Sequence, residues 1–114
     1  MKIYLSIVLF VIALWHFAFI APALAGETLS AAKIFSHNCA SCHIGGSNVL
    51  IGEKTLKKEA LSKYLANYDT NSIQAIINQL QNGKNAMPAF KDKLSEQELI
   101  DVAVYVHQKA QQGW

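Results

Sequence analysis

The sequence predicts an all-α fold on three observations. Apolar residues recur at helical spacing in four stretches, capping and stop residues bracket those stretches, and no run alternates apolar and polar side chains long enough to argue for a sheet. At 114 residues the chain holds one domain at most, and two Cys exclude a multi-bridge disulfide framework. Ten Lys, no Arg and eight acids leave a formal charge of +2, too small for a nucleic-acid surface.

The N-terminal segment stands apart from that domain. Ile3 to Ala25 carries 20 hydrophobic residues among 23, broken only by Ser6, His16 and Pro22, and it follows the single cation Lys2. It ends in Ala23-Leu24-Ala25, a small-x-small pattern, so residues 1–25 read as an export signal cleaved after Ala25. The competing reading is an uncleaved anchor, because the run is long enough to span a bilayer. Pro22 and the Ala-Leu-Ala site favour cleavage. The mature part, 26–114, then has 89 residues, 38 of them hydrophobic, with nine Lys against eight acids. A domain that small is marginal without a disulfide, metal or cofactor to tie it.

The elements of the mature part follow in order. The first helix is expected over about Leu29 to His37, with Thr28 as N-cap and Leu29, Ala32 and Phe35 on one face. Gly45, Gly46 and Ser47 open a loop that runs to about Gly52. A second helix, about Leu56 to Leu65, places Leu56, Ala60, Leu61 and Leu65 together. A third starts after the N-cap Asn71, aligns Ile73, Ile76, Ile77 and Leu80, and stops at Gly83. Lys84 to Lys93 form a loop. In the last helix Ser95 and Glu98 make a capping box, Leu94 and Leu99 fit a hydrophobic staple, and Leu99, Ala103, Val106 and Ala110 make an apolar stripe that ends at Gly113.

Cys39-Ala40-Ser41-Cys42-His43 carries the chemistry. A Cys-x-x-Cys pair followed directly by His presents two thiols to the two haem vinyl groups and an imidazole to the iron, which is the c-type haem attachment pattern. A redox-active Cys-x-x-Cys is expected beside a βαβ unit, which is lacking here. A zinc site needs four ligands, and only His37 and the distant His107 remain. A plain disulfide suits an exported protein but gives His43 no role. For the sixth ligand, Met87 is the only methionine of the mature part, and Pro88 pushes it off helical geometry toward extended chain that can face a haem. His107, near the apolar stripe of the last helix, is the competitor, and a core role is the bland alternative for Met87.

Five blocks resemble the cytochrome c6 family: Phe35-x-x-Asn38-Cys39-Ala40-Ser41-Cys42-His43, Glu53-Lys54-Thr55-Leu56, Asn82-Gly83-Lys84-x-Ala86-Met87-Pro88-Ala89-Phe90, Leu94-Ser95-x-x-Glu98 and Val102-Ala103-x-Tyr105-Val106. The resemblance covers nearly all of 26–114. It implies a class I cytochrome c fold, about four helices around one covalently bound haem c. It implies a carrier in the thylakoid lumen of a cyanobacterium or plastid, taking electrons from the cytochrome b6f complex to photosystem I by transient docking at an exposed haem edge. By the same resemblance Cys39 and Cys42 form the thioethers, His43 and Met87 are the axial ligands, and Gln79 lies near the haem and bears on its potential. Against this, Gln79 also reads as a solvent-facing helix residue. Phe35 and Tyr105 match the aromatic positions where the first and last helices cross. Two departures stand out: Ala31 and Asn85 occupy positions where the family uses Gly. The rival readings are a periplasmic respiratory cytochrome feeding a terminal oxidase and, from another class, a haem enzyme or gas sensor with an open distal site.

Overall fold

In a computed structural model of the 114-residue chain, side chains are described for residues 1–14 and 30–114. Pro22, the Ala23-Leu24-Ala25 site, Thr28 and Leu29 therefore lie outside the described residues. Five α-helices follow one another: α1 (Lys2–Asn38), α2 (Ala40–His43), α3 (Lys58–Tyr64), α4 (Ser72–Asn82) and α5 (Glu96–Gln112), with a 3₁₀ turn at Ile44–Gly46. Among the described residues there is no strand, only an isolated antiparallel bridge between Lys84 and Met87.

The caps predicted for the last two helices form, whereas the first helix, expected to start after Thr28, instead runs from Lys2 as part of α1. Asn71 Oδ1 accepts the Gln74 N–H at 3.2 Å and starts α4, which ends at Gly83 in left-handed backbone, φ +63°. At α5 the Glu98 N–H donates to Ser95 Oγ at 3.2 Å and the Ser95 N–H donates back to Glu98 Oε2 at 2.8 Å, which satisfies two backbone donors reciprocally. Another expectation shifts. The second helix begins at Lys58 rather than Leu56, because Lys57 is still extended at ψ 150°. The attachment-motif residues, which follow the first expected helix and precede the glycine loop, form the short helix α2.

The core forms where α5 packs against both α4 and the end of α1. Phe35 from α1, Ala75, Ile76 and Leu80 from α4, and Leu99, Val102, Ala103 and Val106 from α5 are all buried, joined by Leu61, Tyr68 and Phe90. Ala31 is buried too, one turn before Phe35, so the methyl group in place of the family's Gly is accommodated inside the packing. On α1 the buried pair is Ala31 and Phe35 rather than Ala32 and Phe35. Phe35 and Tyr105 meet with ring centroids 5.4 Å apart and planes at 50°, a tilted aromatic contact between α1 and α5. At the other end, Ile3, Leu5, Val8, Phe10 and Leu14 each leave more than half of their surface exposed. Among the described residues, no helix is long and apolar enough to cross a membrane.

Replacing Ser95 by Ala removes one half of the capping box and should lower stability by about 1 kcal/mol. Chemical denaturation should show an earlier midpoint with an unchanged native visible spectrum.

Candidate functional site

The site starts from a break in helix geometry. Cys39 ends α1, its N–H donating to the Phe35 carbonyl at 2.8 Å, and then leaves the helical region at φ −122°, ψ −33°. One further turn returns Cys42 N–H (3.2 Å) and His43 N–H (2.9 Å) to the Cys39 carbonyl. Positions three and four apart on such a turn share a face, so Cys39, Cys42 and His43 are presented together. Both cysteines are free, and burial pushes the Cys39 thiol up to about 11. That shift opposes a thiolate centre, whether for metal or for disulfide exchange. Among the described residues no group of three or more His, Cys, Asp or Glu could hold a metal ion.

His43 is half-buried, and its Nδ1 lies 2.9 Å from the Ser47 carbonyl. A carbonyl can only accept, so Nδ1 carries the proton and Nε2 keeps the lone pair for a ligand. The loop beyond is held by Asn48: its Oδ1 accepts the Leu50 and Ile51 N–H groups at 3.0 and 2.9 Å, and its Nδ2 donates to the Lys54 carbonyl at 3.0 Å.

Met87 comes from the far side of α4 on a tightly pinned loop. Lys84 and Met87 exchange two backbone hydrogen bonds of 3.0 Å, and Phe90 N–H donates to the Leu80 carbonyl at 2.8 Å. Between them Asn85 takes the left-handed conformation, φ +53°, which Asn tolerates better than other side chains, so the turn before Met87 closes without the family's Gly. Gly83 has no such freedom. A Cβ there would stand 2.5 Å from the Met87 carbonyl oxygen and 2.7 Å from the Ala89 nitrogen, so only Gly lets the loop fold back this closely.

Cys39, Cys42, His43 and Met87 all line one cavity of about 240 Å³, whose walls include the core side chains Phe35, Leu61, Ile76, Leu80, Val102 and Val106. Gln79 lines it as well and is not a solvent-facing residue: its Nε2 lies 3.6 Å from Met87 Sδ and donates toward the thioether. His107 does not line the cavity; its Nδ1 is 3.3 Å from the Tyr68 hydroxyl. His37 is exposed, with its Nδ1 on the Lys33 carbonyl at 2.8 Å.

These residues fit a haem. The walls are apolar, two thiols and a neutral imidazole share one wall, and a thioether belongs to the same cavity from another part of the chain. Left uncovered, these apolar walls would lose dispersion partners and face water, which lowers stability. An apolar occupant therefore stabilises the fold. Sequence reasoning missed Trp114, which packs on Phe35 at 5.3 Å and donates from Nε1 to the Leu56 carbonyl at 3.0 Å. Its only local signal was an aromatic residue placed after the helix stop Gly113.

Residues 26–106 match the family described as cytochrome c oxidase, cbb3-type, subunit III. Cytochrome c6 of Nostoc sp. is 54% identical over 114 residues, covering 100% of this chain and 99% of the relative. Cytochrome c6 of Limnospira maxima is 47% identical over 89 residues, 78% of this chain and 100% of the relative. The solved structure of cytochrome c6 from the diatom Phaeodactylum tricornutum superposes with a TM-score of 0.72 at 50% identity, covering 76% of this chain and 98% of that one.

Gly83→Ala should destabilise the protein by about 1–3 kcal/mol through backbone strain and crowding. Amide exchange should accelerate at Lys84 and Met87, whose mutual hydrogen bonds depend on that close approach.

Proposed function

The chain belongs to the cytochrome c6 family, and from that premise we propose that it is a soluble lumenal carrier moving single electrons from the cytochrome b6f complex, through cytochrome f, to photosystem I. It is a c-type cytochrome with one covalently bound haem c, an electron carrier and not an enzyme. The observation that carries the reading is the shared cavity, with Cys39, Cys42 and His43 on one side and Met87 among its walls.

Haem, when bound, supplies an iron that alternates between the ferrous and ferric states. Cys39 and Cys42 hold it through thioethers. His43 Nε2 would hold the iron, oriented by the Nδ1–H bond to the Ser47 carbonyl, which would also raise the basicity of the imidazole. Met87 Sδ would be the second ligand, and a thioether there would favour the reduced state. Gln79 turns the positive end of its amide toward Met87 Sδ, which further disfavours added positive charge at the centre and so keeps the potential high. His43 and Met87 sit on pinned backbone, so if both held the iron, transfer would require little rearrangement. Leu50 and Ile51 line the cavity yet remain 63% and 41% exposed, and with exposed Ile44 and Val49 they offer a small apolar edge suited to brief docking.

Residues 1–25 act as the export signal and 26–114 as the working domain. Two findings support this: the family match begins at residue 26, and 89 residues, the length of the mature part, cover the whole Limnospira maxima relative. The bare apolar side chains between Ile3 and Leu14 suit a segment destined for export machinery rather than for this core.

The match to the cbb3-type subunit III family favours a second reading, a carrier feeding a terminal oxidase. Flash kinetics distinguish the two: the reduced protein should re-reduce photosystem I faster than it reduces an oxidase, and the opposite order would support the respiratory reading. For the site itself, the native ferric protein should show a Met-to-iron charge-transfer band and the ferrous protein should not bind carbon monoxide. Met87→Ala should abolish the band and admit carbon monoxide; an unchanged spectrum in that variant would contradict the assignment.

A further inference from the structure

Trp114 lies outside the cavity wall, yet it joins distant parts of the chain around the turn that follows His43. Its ring packs against Phe35 of α1 at 5.3 Å and edge-on against Tyr105 of α5 at 6.2 Å. Its Nε1–H donates to the Leu56 carbonyl at 3.0 Å, and the Leu56 N–H donates to the Gly46 carbonyl at 2.8 Å. The five-membered ring of the indole also presses on Gly46 itself, so closely that no Cβ would fit between them. Gly46 is buried and left-handed at φ +74°. The residue is therefore held on one side by the indole and on another by a backbone bond that the same indole anchors.

The next residue is Ser47, whose carbonyl accepts the His43 Nδ1–H bond. The bonds made by Ser47 N–H and Oγ–H both return to the Ile44 carbonyl, at 3.1 and 2.6 Å, so they stiffen the turn without fixing it to the protein. That fixing comes from Val49 N–H on the Cys42 carbonyl at 3.0 Å and from the Gly46–Leu56–Trp114 chain. A shift of Gly46 shifts the Ser47 carbonyl with it. We propose that Trp114 is a positioning residue for His43, clamping the Gly46–Ser47 turn so that the Ser47 carbonyl holds the imidazole at a fixed angle and strength. The proposal rests on the reading of His43 as the proximal ligand. A well-held Nδ1–H bond increases electron donation by the imidazole and favours the ferric state. Loosening the clamp therefore raises the potential.

The test compares wild-type holoprotein with Trp114→Ala, Trp114→Phe and, as a control that lowers stability away from the turn, Ser95→Ala. NMR follows the iron-shifted His43 ring and the exchange of its Nδ1–H, and a redox titration reads the potential. Trp114→Ala should speed that exchange by about tenfold or more and raise the potential. Trp114→Phe keeps a ring on Gly46 but loses the donor to Leu56, so it should fall between Trp114→Ala and wild type, and it carries the test if Trp114→Ala does not assemble. Ser95→Ala should match wild type in both readouts. An iron-shifted His43 ring in wild type, with exchange and potential unchanged in the Trp114 variants, would overturn the clamp alone. A wild-type protein without that shifted ring would overturn the ligand reading and the clamp with it.

Discussion

Everything in this fold answers to an apolar space that the side chains around it do not fill. Phe35, Leu61, Ile76, Leu80, Val102 and Val106 serve at once as hydrophobic core and as cavity wall. A core of this kind is not closed by burying more of the chain, because the 89 residues from 26 to 114 have little more to bury. It is closed by a large flat apolar group tethered to the chain. The cofactor is thus both the redox centre and the missing part of the core, and the covalent tether keeps it in place.

Two close approaches of backbone give that space its geometry. On the His43 side, Gly46 lies under the Trp114 indole. On the Met87 side, Gly83 lies against the backbone of Met87 and Ala89. Each Gly has positive φ and no room for a Cβ, so the His43 turn and the Met87 loop are each fixed by a contact only glycine permits. The two loops differ in how they are held. The Met87 loop is tied locally to the end of α4 through Lys84 and Leu80, whereas the His43 turn depends on residues 10 and 68 positions beyond Gly46. His43 and Met87 each carry one further polar contact that would set their electronic character as ligands: a carbonyl on the His43 Nδ1–H and an amide on Met87 Sδ.

Local chemistry was what the sequence made legible. The Ser95–Glu98 box, the Asn71 cap and the stop at Gly83 involve residues within four positions of one another or a single backbone conformation, and each appears where its pattern predicts. The attachment motif is equally local, and so is the pairing of Pro88 with Met87. What escaped was set by tertiary packing. Val102 is fully buried although the helical stripe was drawn through its neighbour Ala103, because α5 meets both α1 and α4 and buries a wider face than one stripe. Gln79 stood undecided between solvent and site, since only the fold brings Met87 within 3.6 Å of it. His107 was a rival ligand by residue type and lost that role through its position beside Tyr68. Trp114 carried only the signal of an aromatic residue after Gly113, because its partners Gly46 and Leu56 lie far from it in sequence.

The most direct test of the account is the helical content of the domain with and without its cofactor. Residues 26–114 with Cys39 and Cys42 both replaced by Ala, purified free of haem, are compared with the holoprotein by far-ultraviolet circular dichroism and thermal melting. Without the occupant the apolar walls of a small core face water, so most of the helical signal and the cooperative melt should be lost. A haem-free chain that retained the full helical signal and melted cooperatively would contradict the claim that the cofactor completes the core.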